Sequence, residues 1–346
     1  MLYHNVYIDA FGYELAPNVI TSDDLENRLE SVYRTLRLRK GQLEAMTGIT
    51  ERRYWDPGFK MSTGAVLAGE KAISGSRISS GDIGMLIYGG VCRDNLEPAT
   101  ACAVAHGLGL SPEALVFDVS NACLGILNGM VLVANAIELG QIRAGLVVSC
   151  ESARQIVDIT IDRLTTSKDM ETFRKSIATL TGGSGAVAVL LTEKSLSVNG
   201  HKLLGGAARS APEHHMLCTW GPDTGIPASG LQIMETDPVG VLNNGVVLGM
   251  DTFSDFRKIL DLSDQQPDKI ICHQVGATHQ RTILDAVHLP RNKDFTTFQY
   301  LGNIGTVSLP ITAAIAHERG FLEPGDMVGF LGIGSGLNCL MLGVSW

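Results

Sequence analysis

One cysteine stands where a strand pattern gives way to a helix pattern. Cys123 lies in LVFDVSNACLGILNGM (residues 115–130), after a short β-branched run and before apolar residues at helical spacing. A thiol at a helix start faces unpaired backbone N–H groups and the positive end of the helix dipole. Such a position lowers the thiol pKa and favours the reactive thiolate, so Cys123 is a candidate nucleophile. The alternative is a small buried residue at a tight turn.

A histidine occupies a similar position later in the chain. His273, in IICHQVGATH, ends an apolar run and precedes a predicted helix. Folds of the α/β class place their sites at the carboxyl ends of strands, so His273 is a candidate for proton transfer. The alternative is a hydrogen-bonded histidine of the core or of an interface. His279 is predicted to be structural, and the adjacent His214 and His215 lack a third metal ligand, so no metal site is expected.

Two glycine-containing segments hold further candidates. Asn303, in LGNIGTVSLP, is either a turn residue or an amide donor where the backbone approaches a ligand closely. The turn GIGSGLN (332–338) can present backbone N–H groups to an oxyanion, with Ser335 at its centre. Phosphate binding is the weaker alternative, because the chain has no G-x-x-x-x-G-K-[ST] motif. A G-x-S-x-G motif is also lacking.

An acidic residue precedes a predicted helix in VCRDNLEPAT. Glu97 stands before Pro98 at that helix start. Carboxylates are common and solvated in first helical turns, and the residues alone favour this structural explanation. A general base is the alternative.

The elements that must position these residues alternate between strand and helix. Apolar strands are predicted within 5–15, 82–90, 114–120, 144–152 and 184–193, and helices after Ser22 and over 62–77, 98–108 and 123–139. Residues 268–287 are predicted to form a buried strand, a polar turn and a helix, and 326–346 to form the closing strands. Residues 46–58 are predicted to form a loop. This alternation predicts an α/β fold with a mostly parallel sheet.

The second half of the chain is predicted to repeat the first, because 268–287 has the same strand–turn–helix form as 115–130. We therefore predict two halves, 1–195 and 196–346. Residues 151–181 and 207–235 are predicted to form a lid and the walls of a tunnel.

The composition limits the classes of function. The chain has 346 residues, 45% hydrophobic and 18% charged, with a formal net charge of −9. The low charge indicates a large buried share, and the lack of a basic stripe argues against nucleic acid as a partner. The opening MLYHNVYIDA lacks a secretory pattern, and 124–140 is too short and polar to span a membrane, so we predict a cytoplasmic protein. The seven cysteines form no C-x-x-C pair, which argues against a disulfide framework or a zinc site. Five of them lie within apolar segments and are predicted to be small core residues: Cys92, Cys102, Cys150, Cys272 and Cys339.

Taken in order, DVSNACLGILNG, CHQVGATH and GNIGTVSLP resemble the thiolase superfamily, and more closely its 3-oxoacyl-ACP synthase III group. That group carries a Cys–His–Asn set, and the separations here are 273 − 123 = 150 and 303 − 273 = 30 residues. TGITERRYW (47–55) and the terminal GIGSGLN also look similar. The resemblance spans the whole chain. It implies a thiolase fold of two similar αβ halves in a five-layered αβαβα arrangement, and a homodimer.

The resemblance also implies an acyltransferase of lipid metabolism. Cys123 would form an acyl-enzyme, His273 and Asn303 would stabilise an enolate, and the N–H groups of Cys123 and the Ser335 turn would form the oxyanion hole. Acyl-CoA or acyl carrier protein thioesters would be substrates, and no further cofactor is expected.

Within the group, RDNLEPATA, DVSNACLGILNGM and LGIGSGLNC look most like the long-chain acyl-CoA condensing enzymes of head-to-head olefin biosynthesis. Their glutamate in the LEP motif is matched by Glu97, which would reach into the neighbouring subunit's site as the base. The chain departs from the carrier-protein-dependent synthases at Gln42 and Met46, where those enzymes have a tryptophan and an arginine that clamp coenzyme A.

Three functions remain open from the sequence. The first is a non-decarboxylating Claisen condensation of two acyl-CoA molecules, which Glu97 favours. The second is a decarboxylating 3-oxoacyl synthase or acyltransferase that uses a malonyl-type donor. The third is a non-catalytic partner subunit, which the presence of Cys123, His273 and Asn303 disfavours.

Overall fold

The computed structural model describes residues 1–222, 232–262 and 266–346. The strands are β1 (Val6–Leu15), β2 (Asn18–Thr21), β3 (Glu51–Tyr54), β4 (Met85–Gly89), β5 (Leu115–Val119), β6 (Ala144–Glu151), β7 (Gly185–Glu193), β8 (His201–Ser210), β9 (Cys218–Pro222), β10 (Gln232–Thr236), β11 (Lys269–Cys272), β12 (Met327–Gly334) and β13 (Asn338–Ser345). The α-helices are α1 (Ser22–Arg28), α2 (Glu30–Leu36), α3 (Gln42–Thr47), α4 (Met61–Ser74), α5 (Thr100–Leu108), α6 (Gly125–Glu138), α7 (Arg154–Ser167), α8 (Met170–Leu180), α9 (Pro238–Ile259), α10 (Ala277–Ala286), α11 (Phe298–Leu301) and α12 (Ser308–Glu318).

Nine of the described strands form one mixed sheet, in the order β11–β12–β13–β8–β1–β7–β6–β4–β5. The pairs β4–β5, β4–β6 and β11–β12 are parallel. The pairs that join β12 through β8, β1 and β7 to β6 are antiparallel. The expectation of a mostly parallel sheet is therefore wrong. Strands such as β7 lack alternation because helices cover both of their faces, and this burial does not depend on strand direction.

The packing of the described residues gives five layers. α4 and α5 cover one face of the strands β1, β4, β6 and β7. The other face of these strands packs against α6 and α12, which also contact the inner face of β11, β12 and β13. α9 and α10 cover the outer face of that second group of strands. The five-layered αβαβα arrangement expected from the resemblance is thus confirmed.

The central helix α12 is buried on every side from Ser308 to Ala316. Its hydroxyl groups find partners within the core, since Thr312 Oγ1 donates to the carbonyl of Ser308 at 2.7 Å. A helix that is apolar all round is typical of a position between two packed sheets. The loop that carries Asn303 leads directly into this helix.

Two local predictions need correction. The helix expected after Ser22 is capped one residue earlier, by Thr21, and is interrupted at Leu29 between α1 and α2. Residues 46–58 are not a simple loop, because they contain the end of α3 and the strand β3, which pairs with β2. Short elements of this kind have too few residues for a periodic signal.

The proposed boundary between halves 1–195 and 196–346 falls between β7 and β8. Both strands pair with β1, so hydrogen bonds join the two halves into one sheet. The division itself remains a proposal. No helix in the described ranges has the length and apolar character needed to cross a membrane.

Candidate active site

Cys123 lies on a tight turn between two strand ends. The turn is a short 3₁₀ helix before α6, and Ala122 in it has a φ of 45°, in the left-handed region. A Cβ added at Gly125 would lie 2.8 Å from the backbone of Gly89, the last residue of β4. A Cβ added at Gly334, the last residue of β12, would lie 3.3 Å from the nitrogen of Cys123. The glycines therefore let the turn sit between the ends of β4 and β12.

The thiol of Cys123 does not have the lowered pKa that its position suggested. Burial, with smaller contributions from Cys218 and Glu151, raises the pKa of this thiol to about 12. Desolvation penalises the thiolate more strongly than the start of the following helix stabilises it. The unliganded protein therefore holds a thiol at neutral pH, and the attack of Cys123 on a substrate needs a proton acceptor.

Cys123 opens onto a cavity of about 430 Å³, which we call the nucleophile cavity. Asn303 and Ser335 lie on its wall with Cys123. Both predicted wall segments, 151–181 and 207–235, contribute lining residues, which include Ala153, Ile156, Ala178, Trp220 and Met234. Residues 223–231 of the second segment lie outside the described residues. A largely apolar cavity with a few polar groups is typical of a small-molecule site.

The backbone fixes Asn303 on both sides. Its N–H donates to the carbonyl of Thr181 at 2.9 Å, and its carbonyl accepts from the N–H of Gly183 at 2.8 Å. Its side-chain Oδ1 accepts from the N–H of Gly305 at 3.0 Å. Gly302 and Gly305 have φ values of 68° and 55°, which glycine adopts without strain. This hydrogen bond orients the side-chain amide of Asn303, and its NH₂ group can donate to a ligand.

The turn after β12 brings Ser335 to the nucleophile cavity. The side chain of Asn338 donates to Oδ1 of Asn121 at 3.1 Å and to the carbonyl of Ser335 at 3.4 Å. These bonds tie the glycine-rich turn to the segment that precedes Cys123. The structure thus brings together the two predicted parts of the oxyanion hole, and their role remains a proposal.

His273 directly follows β11, beside the end of β12. Its ring lines a small cavity of about 30 Å³ and does not line the nucleophile cavity. The N–H of His273 donates to the carbonyl of Leu331, the residue before Gly332, at 3.0 Å. A Cβ added at Gly332 would lie 2.7 Å from the side chain of Leu124. The segment of His273 and the nucleophile turn therefore both pack against the end of β12.

The imidazole of His273 is neutral in this environment. Burial lowers its pKa to about 3, and the neighbouring His279 lowers it as well. Burial also lowers the pKa of His279, which lies on α10 as predicted. Among the described residues, Nδ1 of His273 has no hydrogen-bond partner. A neutral imidazole can accept a proton, whereas an imidazolium cannot.

Glu97 is exposed in the loop between β4 and α5. It lies neither on the nucleophile cavity nor on the adjoining groove of about 880 Å³ that reaches Leu96. A single chain therefore does not bring Glu97 to its own Cys123. Residues 100 and 101 fix the end of this loop, because their N–H groups donate to the carboxylate of Asp118 at 2.9 and 2.8 Å.

Glu151, a carboxylate on the wall of the nucleophile cavity, was not predicted from the sequence. Glu151 ends β6 and is only 4% exposed, and burial raises its pKa. Its Oε1 accepts from the N–H of Val91 at 2.8 Å and its Oε2 from the N–H of Cys92 at 3.0 Å. The available signal was an acidic residue at the end of an apolar strand pattern, at the sheet edge where sites occur.

Gln274, the neighbour of His273 in the sequence, was also not predicted. Its side chain is buried, and its Nε2 donates to the carbonyl of Cys272 at 2.7 Å. Its Oε1 accepts from the N–H groups of Thr297 at 3.0 Å and Phe298 at 3.3 Å. Gln274 therefore connects the His273 segment to α11, which leads into Asn303.

The cysteine predictions hold in part. All seven cysteines are free, and Cys150, Cys272 and Cys339 are buried as expected. Cys92 is partly buried, and Cys218 lies on the nucleophile cavity. Cys102 is exposed, which is wrong for a predicted core residue, because the buried stripe of α5 passes through Ala101 and Val104. Within the described ranges, no cluster of three potential metal ligands occurs.

Two family models match the chain. The model of the C-terminal part of 3-oxoacyl-[acyl-carrier-protein] synthase III covers residues 259–346, and the model of 3-oxoacyl-[acyl-carrier-protein] synthase III covers residues 117–211. The first range contains His273, Asn303 and Ser335, and the second contains Cys123. The matches agree with the resemblance found in the sequence.

Full-length relatives give the branch of the family. An acyl-CoA:acyl-CoA alkyltransferase of Shewanella oneidensis is 52% identical over 349 residues, covering 100% of both chains. The enzyme of the same name from Xanthomonas campestris pv. campestris is 36% identical over 348 residues, again covering 100% of both. A cysteine-to-serine variant of Xanthomonas campestris OleA, solved with bound lauric acid and lauroyl-CoA, matches with a TM-score of 0.93 at 35% identity over 100% of both chains. The chain therefore belongs to the acyl-CoA:acyl-CoA alkyltransferase branch of the 3-oxoacyl-ACP synthase III family and is an acyltransferase.

Proposed function

We propose that the protein joins two acyl-CoA thioesters by a Claisen condensation without decarboxylation, through an acyl-Cys123 intermediate. One observation carries the proposal: Cys123, Asn303 and Ser335 meet on the wall of a single largely apolar cavity. Its relatives named acyl-CoA:acyl-CoA alkyltransferase support the same reaction. Lauroyl-CoA bound to Xanthomonas OleA supports an acyl-CoA as the donor.

The first half-reaction transfers an acyl group to Cys123. The sulfur attacks the thioester carbonyl, and its proton passes to the neutral imidazole of His273. The tetrahedral oxyanion accepts hydrogen bonds from the N–H groups of Cys123 and of the Ser335 turn, and loss of one such donor typically costs roughly 10²–10³ in rate. The C–S bond to coenzyme A then breaks, and His273 returns the proton to the leaving thiolate. The raised thiol pKa explains why a base is needed at this step.

The second half-reaction forms the carbon–carbon bond. Glu97 removes a proton from the α-carbon of a second acyl-CoA, and the NH₂ of Asn303, with His273, donates to the resulting enolate oxygen. The α-carbon attacks the carbonyl of acyl-Cys123, and the C–S bond to Cys123 breaks. The product is a 3-oxoacyl-CoA, and the leaving Cys123 thiolate takes a proton from His273, which regains it from protonated Glu97, so that the Cys123 thiol and the Glu97 carboxylate are both regenerated. The α-proton is weakly acidic, so the position of the base controls the rate.

We propose that the protein acts as a homodimer in which Glu97 serves the partner's cavity. Two observations support this arrangement. Glu97 is exposed and remote from the nucleophile cavity of its own chain, and the neighbouring Leu96 is 93% exposed. The nearby strand β5 is an edge strand whose side chains are all at least partly exposed. Exposed edges of this kind are normally covered by another chain.

The acyl donor is proposed to be a CoA thioester, with no additional cofactor. Gln42 and Met46 lie on α3, where Nε2 of Gln42 contacts Sδ of Met46 at 3.6 Å. Neither side chain can stack on adenine as tryptophan does or pair with phosphate as arginine does. We therefore expect CoA to be held by other residues than in the carrier-protein-dependent synthases.

An isotope experiment distinguishes this reaction from decarboxylating condensation. The purified protein is incubated with uniformly ¹³C-labelled acyl-CoA alone, and separately with that substrate and unlabelled malonyl-CoA. We expect a fully labelled product with two acyl chains in both mixtures. A product that appears only with malonyl-CoA and carries two unlabelled carbons would contradict the proposal and favour the decarboxylating synthase.

A further inference from the structure

Glu151 is a buried carboxylate to which the proposed reaction gives no task. Both of its oxygens accept backbone N–H groups, from Val91 at 2.8 Å and from Cys92 at 3.0 Å. The same side chain lies on the nucleophile cavity. A carboxylate is costly to bury, and hydrogen bonds from two amides offset that cost only while the amides stay in place. Glu151 and the segment at Val91 therefore hold each other in position.

The segment that Glu151 holds is the start of the loop that ends at Glu97. Two more hydrogen bonds fix the same part of the loop. The hydroxyl of Tyr88 donates to the carbonyl of Cys92 at 2.7 Å, and Oδ1 of Asp94 accepts from the N–H of Met61 at 2.7 Å. The next three residues, 95–97, are exposed. The direction in which Glu97 projects from the subunit surface thus depends on the part of the loop between residues 91 and 94.

We propose that Glu151 is a positioning residue that sets the loop of residues 91–97 so that Glu97 reaches the partner subunit's nucleophile cavity. This inference rests on the proposed function, in which Glu97 acts across the dimer. In this role Glu151 acts through the loop. It links the two active sites, because its carboxylate lies on one nucleophile cavity while the loop it fixes serves the other.

Single variants give the first test. Glu151→Gln removes one acceptor and turns an NH₂ group toward a backbone N–H donor, so we expect the loop to shift. Intact-protein mass spectrometry follows acylation of Cys123, which we expect to fall less than condensation, because the loop of Glu97 takes no part in the first half-reaction. Condensation should fall roughly 10- to 100-fold, the usual effect of a reacting group displaced by about 1 Å. Glu151→Asp serves as the second variant if Glu151→Gln does not fold.

The chain offers a matched control in Glu26. Glu26 is also 4% exposed and also accepts two backbone N–H groups, from Gly41 at 2.6 Å and Leu43 at 2.7 Å. Glu26→Gln should lower the melting temperature as Glu151→Gln does, without changing the ratio of condensation to acylation. An equal loss of both half-reactions in Glu151→Gln would mean a merely structural role and would overturn the proposal.

Mixed dimers decide which cavity Glu151 serves. Two differently tagged chains are co-expressed, and dimers that carry both tags are purified. In the first pair, one chain carries Cys123→Ala and the other carries Glu151→Gln. The intact Cys123 then lies in the Glu151→Gln chain, and the Glu97 that reaches it comes from the Cys123→Ala chain, whose Glu151 is intact. This pair should recover about half the wild-type condensation per dimer, because one of two equivalent sites is complete. If Glu151 acted on the Cys123 of its own chain, the pair would stay inactive, which would overturn the proposal.

The pair Cys123→Ala with Glu97→Gln separates this inference from the function on which it rests. Recovery in this pair establishes that Glu97 acts across the dimer. Recovery here but not in the Glu151 pair would overturn the positioning role alone. Failure of both pairs, with each variant folded and dimeric, would overturn the delivery of Glu97 across the dimer and the inference with it.

Discussion

At the scale of single residues, burial decides the protonation of the two proposed partners in acyl transfer. The thiol of Cys123 has its pKa raised to about 12, and His273 has its pKa lowered to about 3, with desolvation as the largest cause in both. Both groups are thus neutral near pH 7. A neutral pair can still react, because the proton moves from sulfur to nitrogen as the thioester is attacked. A site with such apolar surroundings is better suited to bind an acyl chain than a site built around a preformed thiolate–imidazolium pair.

This protonation state predicts the pH dependence of alkylation. Iodoacetamide should modify Cys123 of the substrate-free protein slowly, with a rate that rises without a plateau up to about pH 10, because the reactive thiolate stays a minor species below the raised pKa. Peptide mass spectrometry should follow Cys123 separately from the exposed Cys102, which provides an internal reference. A plateau below pH 8 at Cys123 would instead support the helix-start argument made from the sequence.

Residues were predictable where type and spacing carry a signal. Cys123 and His273 each stand at the end of an apolar run, Asn303 stands next to a glycine, and Ser335 stands in a glycine-rich turn. Glu151 also ends an apolar run, but the importance of Glu151 and Gln274 lies in contacts with Val91, Cys92, Thr297 and Phe298, which are distant in sequence. Helix position suggested a reactive cysteine, but it gave the wrong direction for the pKa, since desolvation depends on packing that the sequence does not show.

At the scale of elements, Gln274 ties the end of β11 to the start of α11. Gln274→Met keeps the volume of the side chain and removes its three hydrogen bonds. We expect stability to fall by about 1–3 kcal/mol, because buried backbone groups lose their partner. Acylation and condensation should fall together, since His273 and Asn303 both move.

Unfolding in urea and the two half-reactions measure these effects. Gln266→Met is the matched control, because Gln266 donates one hydrogen bond to the carbonyl of His288 away from the site. Wild-type rates in Gln274→Met would show that the segments of His273 and Asn303 hold their positions without this link.

The start of α5 gives a second element-scale prediction. The helix has no capping side chain of its own, and the carboxylate of Asp118 on β5 accepts the N–H groups of residues 100 and 101. Asp118→Ala should cost about 1 kcal/mol of stability, a typical value for a lost helix cap. Condensation should fall more than acylation, because the loop of Glu97 ends at this helix start. Equal effects on the two half-reactions would contradict this assignment.

The element pattern of the sequence was sufficient for the order of the main strands and helices but not for strand direction. Apolar strands without alternation indicated burial on two faces, which is correct for β6 and β7. Parallel pairing does not follow from this burial, because α6 and α12 cover antiparallel strands equally well. The segment that forms α7 and α8 covers the nucleophile cavity, and its position depends on tertiary packing. The sequence indicated only the approximate bounds of this segment.

At the scale of the whole molecule, buried titratable groups give folding stability a specific pH dependence. Burial raises the pKa of Asp294 from 3.8 to about 7, although Cys272 and Gln280 donate hydrogen bonds to it. The folded protein therefore keeps a proton that the unfolded chain releases above about pH 4. The contribution of Asp294 to stability falls as the pH rises from about 4 to about 7.

Replacement of this carboxyl tests the sign. Asp294→Asn cannot ionise, so its stability relative to wild type should increase between about pH 5 and pH 8. Urea unfolding at the two pH values measures the difference. An unchanged difference would mean that Asp294 is already ionised in the folded protein at pH 5. His273 contributes with the opposite sign, since its pKa is lowered from 6.5 to about 3, and stability is lost as the pH falls below about 6.5.

The most direct measurement is a single-turnover reaction with one acyl-CoA and the variant Glu97→Gln. In the proposed reaction, Cys123 and His273 carry out acyl transfer to sulfur, and Glu97 removes the proton from the α-carbon. Wild type should release coenzyme A and accumulate a 3-oxoacyl-CoA. Glu97→Gln should release about one coenzyme A per chain, retain the acyl group on Cys123, and form no coupled product. A variant that still condenses acyl-CoA at the wild-type rate would contradict the central claim.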